Sequence, residues 1–237
     1  MPRLSRSNYA LPADELAPAL LGCLLVRELE STDGTTVRLT GIIVETEAYL
    51  APEDQASHAR NHHRSPRVEP MYARPGVSFV YLTRGVHHLF NVSCDREGSA
   101  HAVLIRALEP ISGLGHMHPN RVAGALAARR SLRSGKGRPP PVFKPRDLCS
   151  GPSKLCQSLL IGPPHNAIDL TQPAAQPAGQ GRLWIQTAPQ APHPGARRFD
   201  TVRDARIGVD SVGKPWAQTK LRWSVRGNPN VSAQPKT

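Results

Sequence analysis

Several common catalytic signatures are missing from this chain. It has no Gly-x-Ser-x-Gly elbow, no His-Glu-x-x-His pair, no P-loop and no Gly-x-Gly-x-x-Gly turn. Those absences set aside the corresponding hydrolase, metalloprotease, nucleotide-binding and dinucleotide-binding classes. Cysteine is scarce: Cys23, Cys94, Cys149 and Cys156 form no Cys-x-x-Cys pair, so neither a zinc site nor a disulfide framework is expected. They read as reduced, mostly buried thiols of an intracellular protein. No apolar run is long enough to cross a bilayer, since the most apolar window, residues 16–26, is short and contains Pro18. Asp14 and Glu15 precede it and no small-residue cleavage site follows, which makes it a poor signal peptide and a better helix running into a strand. Acidic residues are also few, 18 against 30 Lys and Arg, for a net charge of +12. A surplus of that size favours a polyanionic partner.

The positive charge is clustered. Between Glu109 and Asp147 there is no acid, while Arg121, Arg129, Arg130, Arg133, Lys136, Arg138, Lys144 and Arg146 all fall there. A second patch holds Arg60, Arg64, Arg67 and Arg74 against Glu69 alone, with His58, His62 and His63 interleaved. Two basic patches in one small domain suit phosphate contacts along a duplex.

The most informative stretch is Ile43-Val44-Glu45-Thr46-Glu47-Ala48-Tyr49-Leu50-Ala51. Read as a strand with alternating faces, it sets Glu45, Glu47 and Tyr49 on one side. Ile42, Val44, Thr46 and Ala48 then point toward a core. A buried unpaired charge costs on the order of several kcal/mol, so the acidic face is expected to look into solvent or a polar cleft. In a cleft it offers a carboxylate to activate water and a ring to stack on a flat ligand. The alternative is an edge strand with solubilising acids.

Strands are expected at 24–29, 37–49, 77–83, 86–92, 102–108, 183–187 and 221–225, with a turn at Thr32-Asp33-Gly34 and a hairpin tip at Arg84-Gly85. Glu109-Pro110 is expected to end the fifth of these. Phe79, Tyr81 and Thr83 should share a face, as should His87, Leu89 and Asn91, and likewise Leu104, Arg106 and Leu108. Residues 52–75 read as a loop with short helical pieces, 122–133 as a basic helix, and 162–194 as a long Pro/Gln-rich excursion. Strands joined by short hairpins predict one α+β domain with a curved antiparallel sheet and surrounding helices. Its expected limits are 16–232, including a basic insert at 119–146, after a poorly ordered segment 1–15 and before a tail at 233–237.

An enzyme acting on a base within duplex DNA needs a wedge, aromatic faces for the extruded base, edge contacts and an activated water. Besides 43–49, the strings Pro52-Glu53-Asp54, Met71-Tyr72-Ala73-Arg74-Pro75-Gly76, Arg106-Ala107-Leu108-Glu109-Pro110 and Cys149-Ser150-Gly151-Pro152-Ser153-Lys154-Leu155 closely resemble the alkyladenine (3-methyladenine) DNA glycosylases. The resemblance runs collinearly over residues 16–232. It implies a monofunctional hydrolase of base-excision repair that uses no cofactor and no metal, with a hairpin that enters the minor groove. Its substrates would be flipped purines such as 3-methyladenine, 7-methylguanine, hypoxanthine and ethenoadenine.

Carried over by position, Glu47 is similar to the family's general base and Arg106 to the arginine that holds the water and a flanking phosphate. Tyr49 and Tyr81 resemble the two stacking walls, His58 a group that bonds the base, and Asn91 the residue that collides with the exocyclic amine of guanine. Structural alternatives remain at this point: a loop histidine at 58, a core ring at 81, a strand-end cap at 91 and a simple ion-pair partner at 106. Glu45 reads as structural. For DNA contacts the resemblance points to Arg60, Arg64, Arg67, Met71, Arg84 and His87. Arg84 departs from the pattern, because the family presents a tyrosine wedge there, and His87 stands where a further tyrosine is expected. The alternative to an active enzyme is a lesion-binding protein made catalytically weak by that wedge. Double-stranded DNA with a damaged purine is the implied partner, the protein is expected to be a monomer without membrane contact, and the nucleus is the expected compartment, with the mitochondrion as a second one.

Overall fold

A computed structural model describes residues 1–30, 34–132, 139–177, 179–188 and 200–234. Arg133, Lys136 and Arg138 of the basic stretch, the Thr32-Asp33 turn and parts of the Pro/Gln-rich excursion lie outside the described residues. Among the described residues the chain forms an antiparallel sheet of eight strands: β1 Leu24–Glu30, β2 Thr36–Tyr49, β3 Ser78–Thr83, β4 His87–Cys94, β5 His101–Ser112, β6 Arg182–Gln186, β7 Thr201–Asp204 and β8 Arg222–Val225. The order is β3-β4-β5-β2-β1-β6. Four α-helices accompany it: α1 Arg6–Tyr9, α2 Ala13–Ala19, α3 Leu114–Ser131 and α4 Pro152–Ser158. The α+β class and the single domain agree with the sequence reading.

Strand β2 organises the rest. One edge pairs with β5 from Thr40 to Tyr49; the other pairs with β1 through residues 36–42 and then with β8 at Glu45, Thr46 and Glu47. The change of partner coincides with a bulge, because Ile43 faces Leu108 and Glu45 faces Ala107, leaving Val44 unopposed. A second irregularity follows at once: Glu45 faces Ala107 and Thr46 faces Ile105, so Arg106 is the extra residue of β5. Bulges re-aim side chains, and here they overturn two sequence-based phases. Leu39 and Ile43, then Thr46 and Ala48, address the main core and α2, while Ile42 and Val44 join a smaller cluster with Ala107 and Val231 on the other side. Leu104 and Arg106 face a cavity, whereas Leu108 is in the main core.

Three further expectations need correction. β5 runs on past Glu109 to Ser112, with Pro110 placed opposite Gly41 where the ladder is already irregular and a missing N–H is tolerated. The basic helix starts at Leu114, not at 122, after Gly113 at φ +81, where a Cβ would come within 2.4 Å of Leu39. The N-terminal segment is packed, since Leu4, Tyr9 and Ala13 are buried in the main core and Arg6 bonds Asp169 at 2.5 Å. All four cysteines are free and buried. Among the described residues no helix is long and apolar enough to cross a membrane.

Candidate active site

On the face of β2–β5 opposite α2 the sheet carries a cavity of about 740 Å³. Strands β3 and β4 form one side through Phe79, Tyr81, Leu89 and Asn91, and the loop after β2 contributes His58. The other side is the segment after β7, including Ile207 and Val209. Tyr49, Leu104 and Arg106 line it from the central strands. The two alternating faces predicted for the hairpin hold: Tyr81 and Thr83 with Phe79, and His87 and Leu89 with Asn91, all border this space.

The rings are arranged as a packed group. Phe79 and Tyr81 stack with centroids 5.1 Å apart, and His58 meets Tyr81 edge-on at 4.5 Å. Burial, then the cations Arg67 and Arg60, lower the pKa of His58, so it is neutral at pH 7. Burial, with Glu47 nearby, pushes the Tyr81 phenol up to about 12. Asn91 donates from Nδ2 to the Phe79 carbonyl at 3.1 Å, which fixes its amide at the cavity wall.

The acidic face of β2 is not open to solvent. Glu45 and Glu47 have no exposed surface. The acids can be buried because the fold delivers cations to them from far along the chain, which the local pattern of β2 does not contain. Glu45 receives Arg222 Nη1 at 2.8 Å and the Ser232 N–H at 2.7 Å, with Arg106 Nε at 3.6 Å. Glu47 Oε1 receives the Ile207 N–H at 2.8 Å and faces Arg106 Nη1 at 3.1 Å, while Oε2 accepts from the Tyr49 hydroxyl at 2.9 Å. Burial works against the charge of Arg106, but Glu47 and Glu45 more than offset it and raise its pKa. Burial and then Glu47 raise the Tyr49 pKa well above its ordinary value, so the phenol keeps its proton and donates.

A carboxylate offers about four lone-pair positions. Three at Glu47 are engaged, and the three donors, Tyr49, Arg106 and Ile207, all line the cavity. The arrangement leaves an acceptor just beneath the floor, paired with a guanidinium and next to a slot flanked by rings. Chemically it can accept a proton from a water and hold a flat ligand.

Residues predicted to touch DNA divide into groups. Arg60, Arg67 and Arg84 are exposed at the cavity mouth, with Arg84 at φ +49 beside Gly85 at φ +71 in the β3–β4 tip. His87 is half-buried at the same mouth, its Nδ1 without a partner. Arg64 points elsewhere, bonded to Glu69 at 2.5 and 2.9 Å and lying over Tyr72. Met71 is 2% exposed, packs in a cluster with Phe79 and lines the same cavity.

Sequence reasoning missed the supporting cations. Arg222 bonds Glu45, Asp204 and the Ala205 carbonyl, and Arg206 forms a fully buried bidentate pair with Asp54 and lies 4.8 Å from the Tyr49 ring centroid. The only available signal was the need itself, since two acids on one buried strand require cations from elsewhere.

Residues 7–229 match the family described as methylpurine-DNA glycosylase (MPG). The chain is similar to the human DNA-3-methyladenine glycosylase, 42% identical over 230 residues covering 97% of this chain and 68% of that protein. The mouse DNA-3-methyladenine glycosylase is 42% identical over 232 residues, which are 97% of this chain but only 61% of the mouse protein. A Clostridium tetani protein described as a candidate 3-methyladenine DNA glycosylase is 36% identical over 231 residues, 97% and 98% of the two chains.

Proposed function

The chain belongs to the methylpurine-DNA glycosylase family, and from that premise we propose that it is a monofunctional DNA glycosylase of base-excision repair. It hydrolyses the N-glycosidic bond of alkylated or deaminated purines flipped out of a duplex, including 3-methyladenine, 7-methylguanine, hypoxanthine and ethenoadenine. The observation that carries this reading is the Glu47–Arg106 contact beneath a cavity walled by Tyr49, His58 and Tyr81. A protein that only binds lesions has no chemical need for a buried carboxylate paired with an arginine beneath its pocket.

In this mechanism the extruded purine lies between Tyr49 and Tyr81, with His58 bonding its edge. A water reaches the remaining lone pair of Glu47 near Arg106. Its oxygen forms a bond to C1′ as the bond from C1′ to the base nitrogen breaks, and that electron pair leaves with the base. The water proton passes to Glu47. A cationic alkylated base departs neutral; a neutral base departs as an anion unless it is protonated. No amine enters the reaction, so no lyase step follows. Asn91 stands against the purine 2-position and disfavours the 2-amino group of normal guanine, a penalty that cationic 7-methylguanine offsets with its better leaving group. Arg84 at the hairpin tip fills the vacated stack, since a guanidinium is planar and suited to a narrow minor groove. Arg60 and Arg67 contact phosphates, and the protein acts as a monomer.

Base release from duplexes with one lesion, measured for the parent protein and for Glu47→Gln, tests the proposal. Glu47→Gln should abolish release and leave lesion binding nearly intact, because shape survives and basicity does not. Undiminished release by the variant removes Glu47 from the chemistry.

A further inference from the structure

The Arg206–Asp54 pair takes no step in the reaction above, yet it touches one wall of the cavity from behind. We propose that Arg206 is a specificity-determining residue: its guanidinium, packed on the side of Tyr49 away from the cavity, weakens that ring's attraction for positively charged bases and biases the pocket toward neutral purines. The inference rests on the reading of the cavity as a base-binding pocket.

The placement is well defined. Tyr49 lines the cavity, whereas Arg206 is not among its lining residues and its side chain has no exposed surface. Its Cζ stands 4.8 Å from the ring centroid. The guanidinium is held there by Asp54 through both terminal nitrogens, by the Ala48 carbonyl at 2.9 Å and by the Trp216 carbonyl at 3.5 Å. Asp54 is itself fixed by the backbone N–H groups of Leu50 at 3.1 Å and Ala56 at 3.0 Å. Asp54 balances the charge, but the guanidinium is the member in contact with the ring.

An aromatic face attracts a cation through its quadrupole. When a fixed cation already occupies one face, a second on the opposite face meets repulsion across the thickness of the ring, and burial limits the screening. A neutral purine stacks without that opposition. The second wall also has a cation near it, for Arg67 Cζ lies 5.7 Å from the Tyr81 centroid, but Arg67 is exposed and borders the cavity, so it acts from the cavity side and is screened more than Arg206. Both rings that would hold the base therefore already have a guanidinium as neighbour, which favours hypoxanthine-like over 7-methylguanine-like ligands relative to unaccompanied tyrosines.

Arg206 also precedes Ile207, so it could act only as a clamp on the segment that donates to Glu47. A clamp affects every substrate together; a field on the ring separates charged from neutral ones. The test is therefore a ratio. Single-turnover release of 7-methylguanine and of hypoxanthine, from otherwise identical duplexes, is measured for the parent protein, the double variant D54N/R206M and the single variant R206K. The double variant removes both charges and leaves no lone buried ion. The ratio of 7-methylguanine to hypoxanthine release should rise roughly threefold or more in the double variant, the size of one cation–π contact. It should rise less in R206K, which keeps a charge on Asp54 but loses the flat face over the ring. Should the double variant fail to fold, D54N/R206Q, which is equally uncharged and keeps hydrogen-bonding groups at both positions, decides in its place. A flat or falling ratio overturns the proposal while leaving the glycosylase reading intact. Release of neither base by the parent protein overturns that reading and this inference with it.

Discussion

Glu45 and Arg222 offer a quantitative test of how the cavity floor is held. Glu45 is fully enclosed and both of its oxygens are engaged, by Arg222 at 2.8 Å on one and Ser232 N–H at 2.7 Å on the other. Arg222 also donates to Asp204 at 2.8 Å and to the Ala205 and Ala233 carbonyls at 2.9 and 3.1 Å. Arg222→Met leaves Glu45 with Arg106 at 3.6 Å as its remaining cation. Breaking a buried pair costs about 3–5 kcal/mol, and the surviving Arg106 contact places this variant at the lower end, about 3 kcal/mol. Glu45→Gln keeps the shape and leaves Arg222 on Asp204, so a loss of about 1–2 kcal/mol is expected. In the double variant the two losses overlap, with a coupling of about 1–3 kcal/mol. Urea unfolding followed by tryptophan fluorescence reads all three, and in thermal melts a destabilisation of 1 kcal/mol should lower Tm by about 2–4 °C in a chain of this size. Additive losses would refute the reasoning, as would a change below about 1 kcal/mol for Arg222→Met. Glu45→Gln should retain base release at temperatures where it is folded, which separates its role from that of Glu47.

Three further outcomes are expected. Asn91→Ser should open space at the purine edge and raise release of undamaged guanine, measured on lesion-free duplex; no rise would leave Asn91 with only its bond to the Phe79 carbonyl. Arg129→Gln with Arg130→Gln, both on α3, should weaken binding to lesion and intact DNA about equally, and should reduce the salt slope by about 0.9 for each charge that met a phosphate; a lesion-selective loss would put α3 in the recognition site. Arg84→Ala should shorten the lifetime of the flipped complex and Arg84→Tyr should restore it, seen in the fluorescence of 2-aminopurine beside the lesion and chiefly in dissociation; an unchanged signal in the alanine variant means that the tip does not intercalate.

Much of the sheet was legible because its strands are written in local code. Turn residues bracket alternating or apolar runs, and the seven expected strands are all present with shifted ends. What was missed lacked such a code. β7 is four residues of mixed character, Thr-Val-Arg-Asp, and owes its pairing to β8. α4 begins at Pro152 directly after Gly151 at φ +154, a start that reads as loop. The bulges at Val44 and Arg106 were illegible for a different reason. Alternation fixes which residues share a face only while the register is unbroken, and an extra residue leaves no mark in the pattern itself. Leu108 was assigned to the face of Arg106 for that reason, and Val44 to the core face of Thr46.

The burial of the two acids joins these points. Arg222 is 177 positions from Glu45, and the partner of Asp54 is 152 positions away; no local window contains either pair. Around the floor the charges are Glu45, Glu47 and Asp204 against Arg106 and Arg222, three minus two, which leaves one net negative charge, while Arg206 and Asp54 cancel. The chain as a whole carries +12. The opposite signs do not conflict, because they act at different distances. Exposed cations attract a polyanion over about a Debye length, near 10 Å at 0.1 M salt, whereas buried charges are screened far less and dominate at contact. In the proposed reaction the sugar carbon becomes positive as the base departs, and that carbon must come close to Glu47 for water to reach it. A positive floor would oppose that step however well the surface bound DNA. Placing the cations at the mouth and an excess of carboxylate below lets one small domain attract phosphates and stabilise a cation in the same cleft.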